Sequence, residues 1–502
     1  MQFFKRFAIF ACLLCLFVCP ASAAAAENAQ QGRIDQLQKQ VDEQKEQINT
    51  LRNNIGHVYK QTIRDAGLIE KYRMGNEAYL RSSYFDMNRD DNISGQEAYD
   101  NAFVNYLDLR FSAEPAREVQ FHATMTMYKL WGAWNTPEDV RSADFHYSNK
   151  PSNTGVKIKR AYVDYRPLWL NQKFNLTFGR LPTSGGYLTK YRYNRPAMTS
   201  YADLTFNAES DGLAMTYYLS DSWMKSINLI YARSEDDIDA NPFLKDAGAL
   251  EDIDFYTAQL NASLPFLDDS ACILQWFRVD NLRPTGDDAF KNILRFKNID
   301  VTTDFPDELG YVDKFTFQLS NDRLFDLPLD VFASVAYSNM EPNGRKILIN
   351  NLPLNSQSLP DELNVAINQI LQEIYGSAGP YLGSSDNEDA DDAWAVYAGI
   401  RYTIGSEKLR NPKIGLEYFE GSEYWVGLNI AAVDPYQKLN TRGNVWEIYW
   451  NQPLVEKTLQ LRTGYQQITR DYTESLLGGL YGEPKATDED DSLFYLSLEY
   501  NF

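Results

Sequence analysis

The last nine residues, Phe494-Tyr495-Leu496-Ser497-Leu498-Glu499-Tyr500-Asn501-Phe502, decide the fold. Phe494, Leu496, Leu498, Tyr500 and Phe502 alternate with Tyr495, Ser497, Glu499 and Asn501. Side chains on a strand point to opposite faces with period two, so one face here is apolar and the other polar. The same alternation recurs upstream. Trp394, Val396, Ala398, Ile400, Tyr402 and Ile404 oppose Ala395, Tyr397, Gly399, Arg401 and Thr403. Phe315, Phe317 and Leu319 oppose Thr316, Gln318 and Ser320.

Carried along the chain, the pattern reads as about sixteen strands. They lie at 77–88, 102–114, 119–131, 156–166, 172–181, 211–219, 225–235, 253–264, 271–282, 312–321, 329–341, 393–405, 412–421, 444–452, 458–470 and 491–502. Their lengths, roughly 9 to 13 residues, suit a tilted strand crossing a bilayer. The connections alternate without exception between short ones of about 4 to 7 residues and long ones of about 13 to 51, the asymmetry of an outer-membrane barrel. A sheet in hydrocarbon has to close on itself, because lipid offers no partner to an unpaired edge. The fold class is therefore all-β: a transmembrane antiparallel β-barrel with an N-terminal α-helical coiled-coil segment. Fourteen or eighteen strands stay open, since 283–311 or Trp425 to Ala431 could each hide a pair.

Composition agrees. The 502 residues carry 33 Tyr, 27 Phe and 9 Trp, and 69 acids against 48 bases. Mean hydropathy is −0.45, too polar for a bundle of membrane helices. Strands with one apolar face reconcile that value with a membrane. A net charge of −21 makes nucleic acid an unsuitable partner. Trp131, Trp134, Trp169, Trp223, Trp425, Trp446 and Trp450 sit near strand ends, as aromatic girdles do.

Residues 1–23 read as an export signal: Lys5 and Arg6, an apolar run from Phe7 to Val18, then Ala21-Ser22-Ala23, with cleavage as late as residue 26 as the alternative. Cys272 is then the one cysteine left, so no intrachain disulfide forms. Residues 30–62 carry a heptad with Ile34, Val41, Ile48 and Ile55 at a, and Leu37, Leu51 and Val58 at d, broken by Gln44. That pattern predicts a self-associating periplasmic coil, dimeric or trimeric. A linker at 63–76 leads to the barrel at 77–502.

The terminal Phe502 with alternate apolar residues before it resembles the C-terminal signal of Gram-negative outer-membrane barrels. The layout resembles a porin. It is also similar to a family of porin-like proteins that carry a domain of unknown function and an N-terminal coiled coil. The segments carrying that likeness are Met127-Tyr128-Lys129-Leu130-Trp131-Gly132, Phe178-Gly179-Arg180-Leu181-Pro182-Thr183-Ser184-Gly185-Gly186, and Gly415-Leu416-Glu417-Tyr418 through Gly421-Ser422. The resemblance implies a barrel and a pore, and supplies no substrate and no site residues.

The residues themselves suggest several sites. By alternation Arg110, Arg160, Arg401, Arg462 and Lys314 face inward, as do Asp108, Asp164, Glu447 and Glu499. Opposed walls of this kind create a transverse field across a constriction; wall salt bridges are the equal alternative. Arg180, Arg192 and Arg195 flank a long Gly- and Pro-containing connection that could fold inward as the constriction, and the connection at 342–392 is the other candidate. Within the latter, Leu363, Ile367, Ile370, Leu371 and Ile374 have helical spacing. Asp86, Asn88, Asp90, Asn92 and Glu97 fall at EF-hand positions, with Asp91 where glycine is expected, so either a Ca²⁺ site or an acidic hairpin loop is implied. Other acidic runs suit solvation or divalent bridging to lipopolysaccharide. The three histidines, His57, His122 and His146, give no nucleophilic constellation, and catalysis is not expected.

Two functions follow. One is a porin passing small hydrophilic solutes or ions by diffusion, cation-preferring on account of its acidic loops. The other is a structural barrel, tethered to peptidoglycan or another periplasmic partner through the coil, or sheathing an electron-transfer protein.

Overall fold

Sixteen strands pair in sequence order, each antiparallel to its neighbours, and close into a barrel. A computed structural model describes residues 73–91, 96–131, 155–170, 173–186, 189–207, 209–219, 223–233, 253–282, 293–297, 299, 301–304, 308–353, 358–375, 391–428, 435–455, 458–473 and 484–501. The strands are β1 (Arg73–Asp91), β2 (Gln96–Ala116), β3 (Val119–Trp131), β4 (Gly155–Tyr165), β5 (Phe174–Leu181), β6 (Ser210–Tyr218), β7 (Met224–Arg233) and β8 (Asp254–Ala262). They continue as β9 (Ser270–Leu282), β10 (Gly310–Asn321), β11 (Leu329–Pro342), β12 (Asp391–Thr403), β13 (Lys413–Gly421), β14 (Gly443–Val455), β15 (Leu459–Tyr472) and β16 (Ala486–Asn501). The seam joins β1 to β16, with Arg81 opposite Glu499 and Phe85 opposite Tyr495. Neither 283–311 nor the residues after Trp425 add a wall strand among those described.

The outer face is what alternation requires in hydrocarbon. Phe103, Phe178, Leu229, Phe317, Ile400, Leu416, Ile448 and Leu498 all point out and are exposed. Trp223, Trp394 and Trp446 join Tyr217, Tyr337 and Tyr402 on that surface. An exposed apolar belt over sixteen paired strands leaves no free backbone edge, which is the condition for a sheet to sit in lipid.

Three features differ from the sequence reading. The barrel starts at Arg73, so 73–76 belong to β1 and not to a linker. The first long connection is absent: β1 and β2 run on as a tall hairpin, paired as far as Asp91 opposite Gln96. Acids at 486–491 likewise lie on β16, where Asp491 meets Arg89 at 3.0 Å and also pairs with Arg470. Charged residues can stand in a strand that rises clear of the bilayer, so their polarity misled the boundary. Third, Trp425 is not a girdle residue. It is fully buried inside the barrel, its Nε1 donating to the Leu439 carbonyl at 2.9 Å.

Among the described residues no helix is long and apolar enough to span a membrane. Helix α1 spans Thr189–Tyr193 and helix α2 spans Asp361–Tyr375. The export signal and the coil residues Ile34, Leu37, Val41, Ile48, Leu51, Ile55 and Val58 lie outside the described residues, as does Asn92.

Candidate functional site

An open barrel of sixteen strands should leave its inward side chains in water. They are instead buried: Arg160, Arg401, Arg462, Lys314, Asp108, Asp164, Glu447 and Glu499 each keep less than a tenth of their surface. The reason is that the barrel's own connections fill it.

Residues 182–209, between β5 and β6, cross the lumen. At their neck Gly185 adopts φ 79°, and its carbonyl accepts the Met198 N–H at 2.9 Å. A Cβ on Gly186 would stand 2.3 Å from the Tyr201 carbonyl oxygen, so this close approach requires glycine. From there α1 reaches the far wall. Arg192 Nε lies 2.9 Å from Glu447 on β14. Tyr191 stacks on Phe332 of β11 at 5.1 Å, and its carbonyl accepts from Arg401 on β12 at 2.8 Å. Gln460 on β15 donates to the Tyr193 carbonyl at 2.8 Å. Lys190 meets Asp322, in the short connection after β10, at 2.7 Å. The returning strand of the segment is held by Gln275 on β9, which accepts the Ala202 N–H at 3.0 Å, and by Thr316 on β10.

The described residues 422–428 and 435–442 of a second connection fold in beside it. Lys314 donates to the Val426 carbonyl and lies 4.6 Å from the Trp425 ring. Lys438 bridges Glu417 and Glu447 from inside. Burial alone would depress the Lys438 ammonium, but the two carboxylates outweigh it and hold its pKa above the ordinary value. Asn207 and Leu428 join the two inward segments, N–H to carbonyl, at 2.9 Å.

The lumen consequently has two unlike halves. Over β6 to β11, Phe255, Phe277, Val279, Val312 and Met340 pack with Phe206 and with Ile347, Ile349, Ile367 and Ile370 from the connections above. Ile367 and Ile370 come from α2, which the helical spacing at 363–374 predicts. Burial of this kind is worth about 25 cal/mol per Å², so that half is sealed by the hydrophobic effect. Over β12 to β16 and β1 to β5 the charged groups stand among two further apolar clusters, one with Phe332, Tyr397 and Phe419 and one with Phe85, Met87 and Leu493. There Arg110 and His122 retain 26% side-chain exposure and Lys159 retains 23%, which marks where water reaches. Asp164 accepts from Asn175 at 2.9 Å and faces His122 at 3.5 Å, and Asp108 accepts from Thr126 at 2.6 Å.

The candidate residues are thus placed as follows. The nine inward candidates all point into the lumen, but as partners of the inward segments, of each other or of neighbouring wall residues, and not as two bare walls. Arg160 donates to the Ser184 carbonyl at 2.7 Å, Arg401 pairs with Asp330 at 2.5 Å, and Arg462 with Glu499 at 3.1 Å. Arg192 and Arg195 lie in the lumen. Arg180 does not: Leu181 points inward and is fully buried, so Arg180 takes the opposite face and pairs with Asp211 at 3.1 Å. Asp86, Asn88 and Asp90 sit on extended β1, with Asp90 opposite Glu97, and Asn92 lies outside the described residues. Among the described residues no group of three or more His, Cys, Asp or Glu could hold a metal ion. Sequence reasoning missed Arg81, Tyr193, Glu417 and Lys438. Arg81 was reachable by parity, since Tyr79, Arg81 and Ser83 share a face with the buried Phe85.

No curated protein matches this chain. In barrel architecture it is similar to an anion-selective porin from Comamonas acidovorans, at 9% identity over 86% of this chain and 100% of the porin, with a TM-score of 0.45. It is also similar to OmpF of Salmonella typhi in complex with daunomycin, at 9% identity, 86% and 98% coverage and a TM-score of 0.42. OccK11 (OpdR) of Pseudomonas aeruginosa gives 12% identity, 85% and 96% coverage and a TM-score of 0.39. The family described as "Protein of unknown function (DUF3373)" matches residues 96–493, and the chain belongs to that family.

Proposed function

We propose that the protein is an outer-membrane channel for small hydrophilic solutes or ions, with residues 182–209 as its constriction. The observation that carries this reading is the charged, partly exposed side of the lumen. A segment tied to the wall by ion pairs beside water-reached Arg110, His122 and Lys159 leaves a hydrated strip along β1 to β5, whereas an apolar seal would leave none. Short connections belong to the periplasmic rim in barrels of this kind, which supports reading both barrel ends as periplasmic. Acids at the start of β12, Asp391 and Asp392, favour cations at the mouth beside them. A homo-oligomer assembled with the help of the coil, in contact with lipopolysaccharide, completes the reading.

The filled lumen also favours a second reading, a non-conducting structural barrel tethered through the coil. It speaks against a sheath, since a partner would need the space that residues 182–209 occupy. Planar-bilayer recording of the purified, folded protein separates the two: stable single-channel steps support the channel, and a silent barrel overturns it.

A further inference from the structure

The ring of Tyr193 in α1 is surrounded by four guanidinium groups. Their central carbons lie 4.5 Å (Arg462), 5.0 Å (Arg195), 5.6 Å (Arg81) and 5.6 Å (Arg192) from its centroid. Arg192 has its carboxylate in Glu447. The other three share one: Glu499 interacts with Arg462, Arg81 and Arg195 together, and its carboxylate is already engaged by Arg462 Nε at 3.1 Å and Gln460 Nε2 at 2.7 Å. Arg81 and Arg462 are each 2% exposed. The buried donors Arg81 Nη2, Arg195 Nη1 and Arg462 Nη1 have no hydrogen-bond partner among the described residues. Tyrosine faces lessen the cost, Arg195 also lying 4.6 Å from Tyr79 and Arg462 4.7 Å from Tyr495, but a ring quadrupole does not neutralise a charge.

Two buried cations and a third partly buried one, against one carboxylate among the described residues and with donors left over, make an arrangement that calls for a counter-ion from solution. Guanidinium forks match the oxygens of phosphate and carboxylate groups. We propose that Arg81, Arg195 and Arg462 form an oxyanion-binding site in the lumen, taking a small phosphate- or carboxylate-class anion in place of the Tyr193 ring. The same cluster makes the constriction anion-selective, whatever the acidic mouth concentrates; that consequence rests on the channel reading above, while the binding does not.

Isothermal titration of the folded full-length protein with inorganic phosphate tests the site. Saturable submillimolar binding is expected, weakened at least tenfold in Arg81→Gln and in Arg195→Gln. Arg195 lies on the crossing segment and not in the wall, so its variant keeps the test alive if the wall variant misfolds. Arg278→Gln, which removes a charge paired with Asp313, should bind as the parent does. No binding by the parent, or equal binding by all variants, overturns the site. Reversal potentials in asymmetric KCl test selectivity: a potential displaced toward that of chloride is expected, and one toward that of potassium overturns it. A silent bilayer with phosphate binding intact removes the channel and leaves the site; steps without phosphate binding do the reverse.

Discussion

Arg192, on the segment that crosses the lumen, lies 2.9 Å from Glu447 on the wall facing it. Both are buried, and Lys438 from a second inward segment contacts the same carboxylate at 2.5 Å. One glutamate therefore anchors two pieces of chain inside the barrel.

Breaking that anchor should loosen both. Removing one partner of a buried pair typically costs about 3–5 kcal/mol, because a charge is left without compensation. Glu447→Gln is expected to raise single-channel conductance several-fold and to add open-channel noise, with the barrel still folded by far-ultraviolet circular dichroism. Conductance equal to the parent's would mean that the crossing segment is held by other contacts.

The neck of the same segment offers a steric test. A side chain at Gly186 meets the Tyr201 carbonyl oxygen at 2.3 Å, which no rotamer relieves. Gly186→Val should therefore displace residues 182–209 from the lumen, and limited proteolysis should cut there in the variant at a protease dose that spares the parent. Identical digestion patterns would refute this.

Trp425 separates inside from outside. It is fully buried in the lumen, while Trp223 and Trp446 stand exposed on the outer face. Brominated lipids should quench Trp223 and Trp446, and a protein keeping only Trp425 should escape quenching. Trp425→Ala should lower stability by about 3–5 kcal/mol, as expected for a buried aromatic.

The hairpin at Asp86 to Glu97 should behave as surface carboxylates do. Sensor EF-hands bind Ca²⁺ at about 10⁻⁷–10⁻⁵ M. Titration with Ca²⁺ is expected to show nothing tighter than about a millimolar, the weak end of that scale. A micromolar site abolished by Asp90→Asn would restore the loop reading.

The coil is tested by removal. A chain lacking residues 31–60 is expected to lose its oligomeric mass in light scattering while its barrel stays folded. An unchanged mass would assign assembly to the barrel wall.

The wall was legible and the lumen was not, for one physical reason. Period-two alternation is imposed by lipid on every strand, so β3 appears in the sequence at 119–131 and in the structure at Val119–Trp131. Parity then assigned Glu447 and Arg462 to the interior. What fills that interior depends on contacts between residues far apart, such as Arg401 with Tyr191, which leave no local period. Trp425 was misassigned because an amphipathic ring near a strand end suits a girdle and a lumen equally well. Arg180 was misassigned because its neighbours in sequence, not its parity, were used. The acids of β1 and β16 read as loops because polarity marks water, and a strand above the bilayer is also in water.

The seam carries a last consequence, for assembly. Ser83 on the first strand and Ser497 on the last share a hydrogen bond at 2.8 Å across a separation of 414 positions. Joining ends so far apart is entropically uphill until the intervening hairpins are in place. Of the sixteen wall strands β16 is also the last in chain order. Residues 182–209 have partners on β1, β14 and β15, so they have to be housed before the two terminal strands zip together. Closure of the cylinder and capture of its contents are thus a single late event, and a variant that strands the crossing segment outside should close more slowly than the parent.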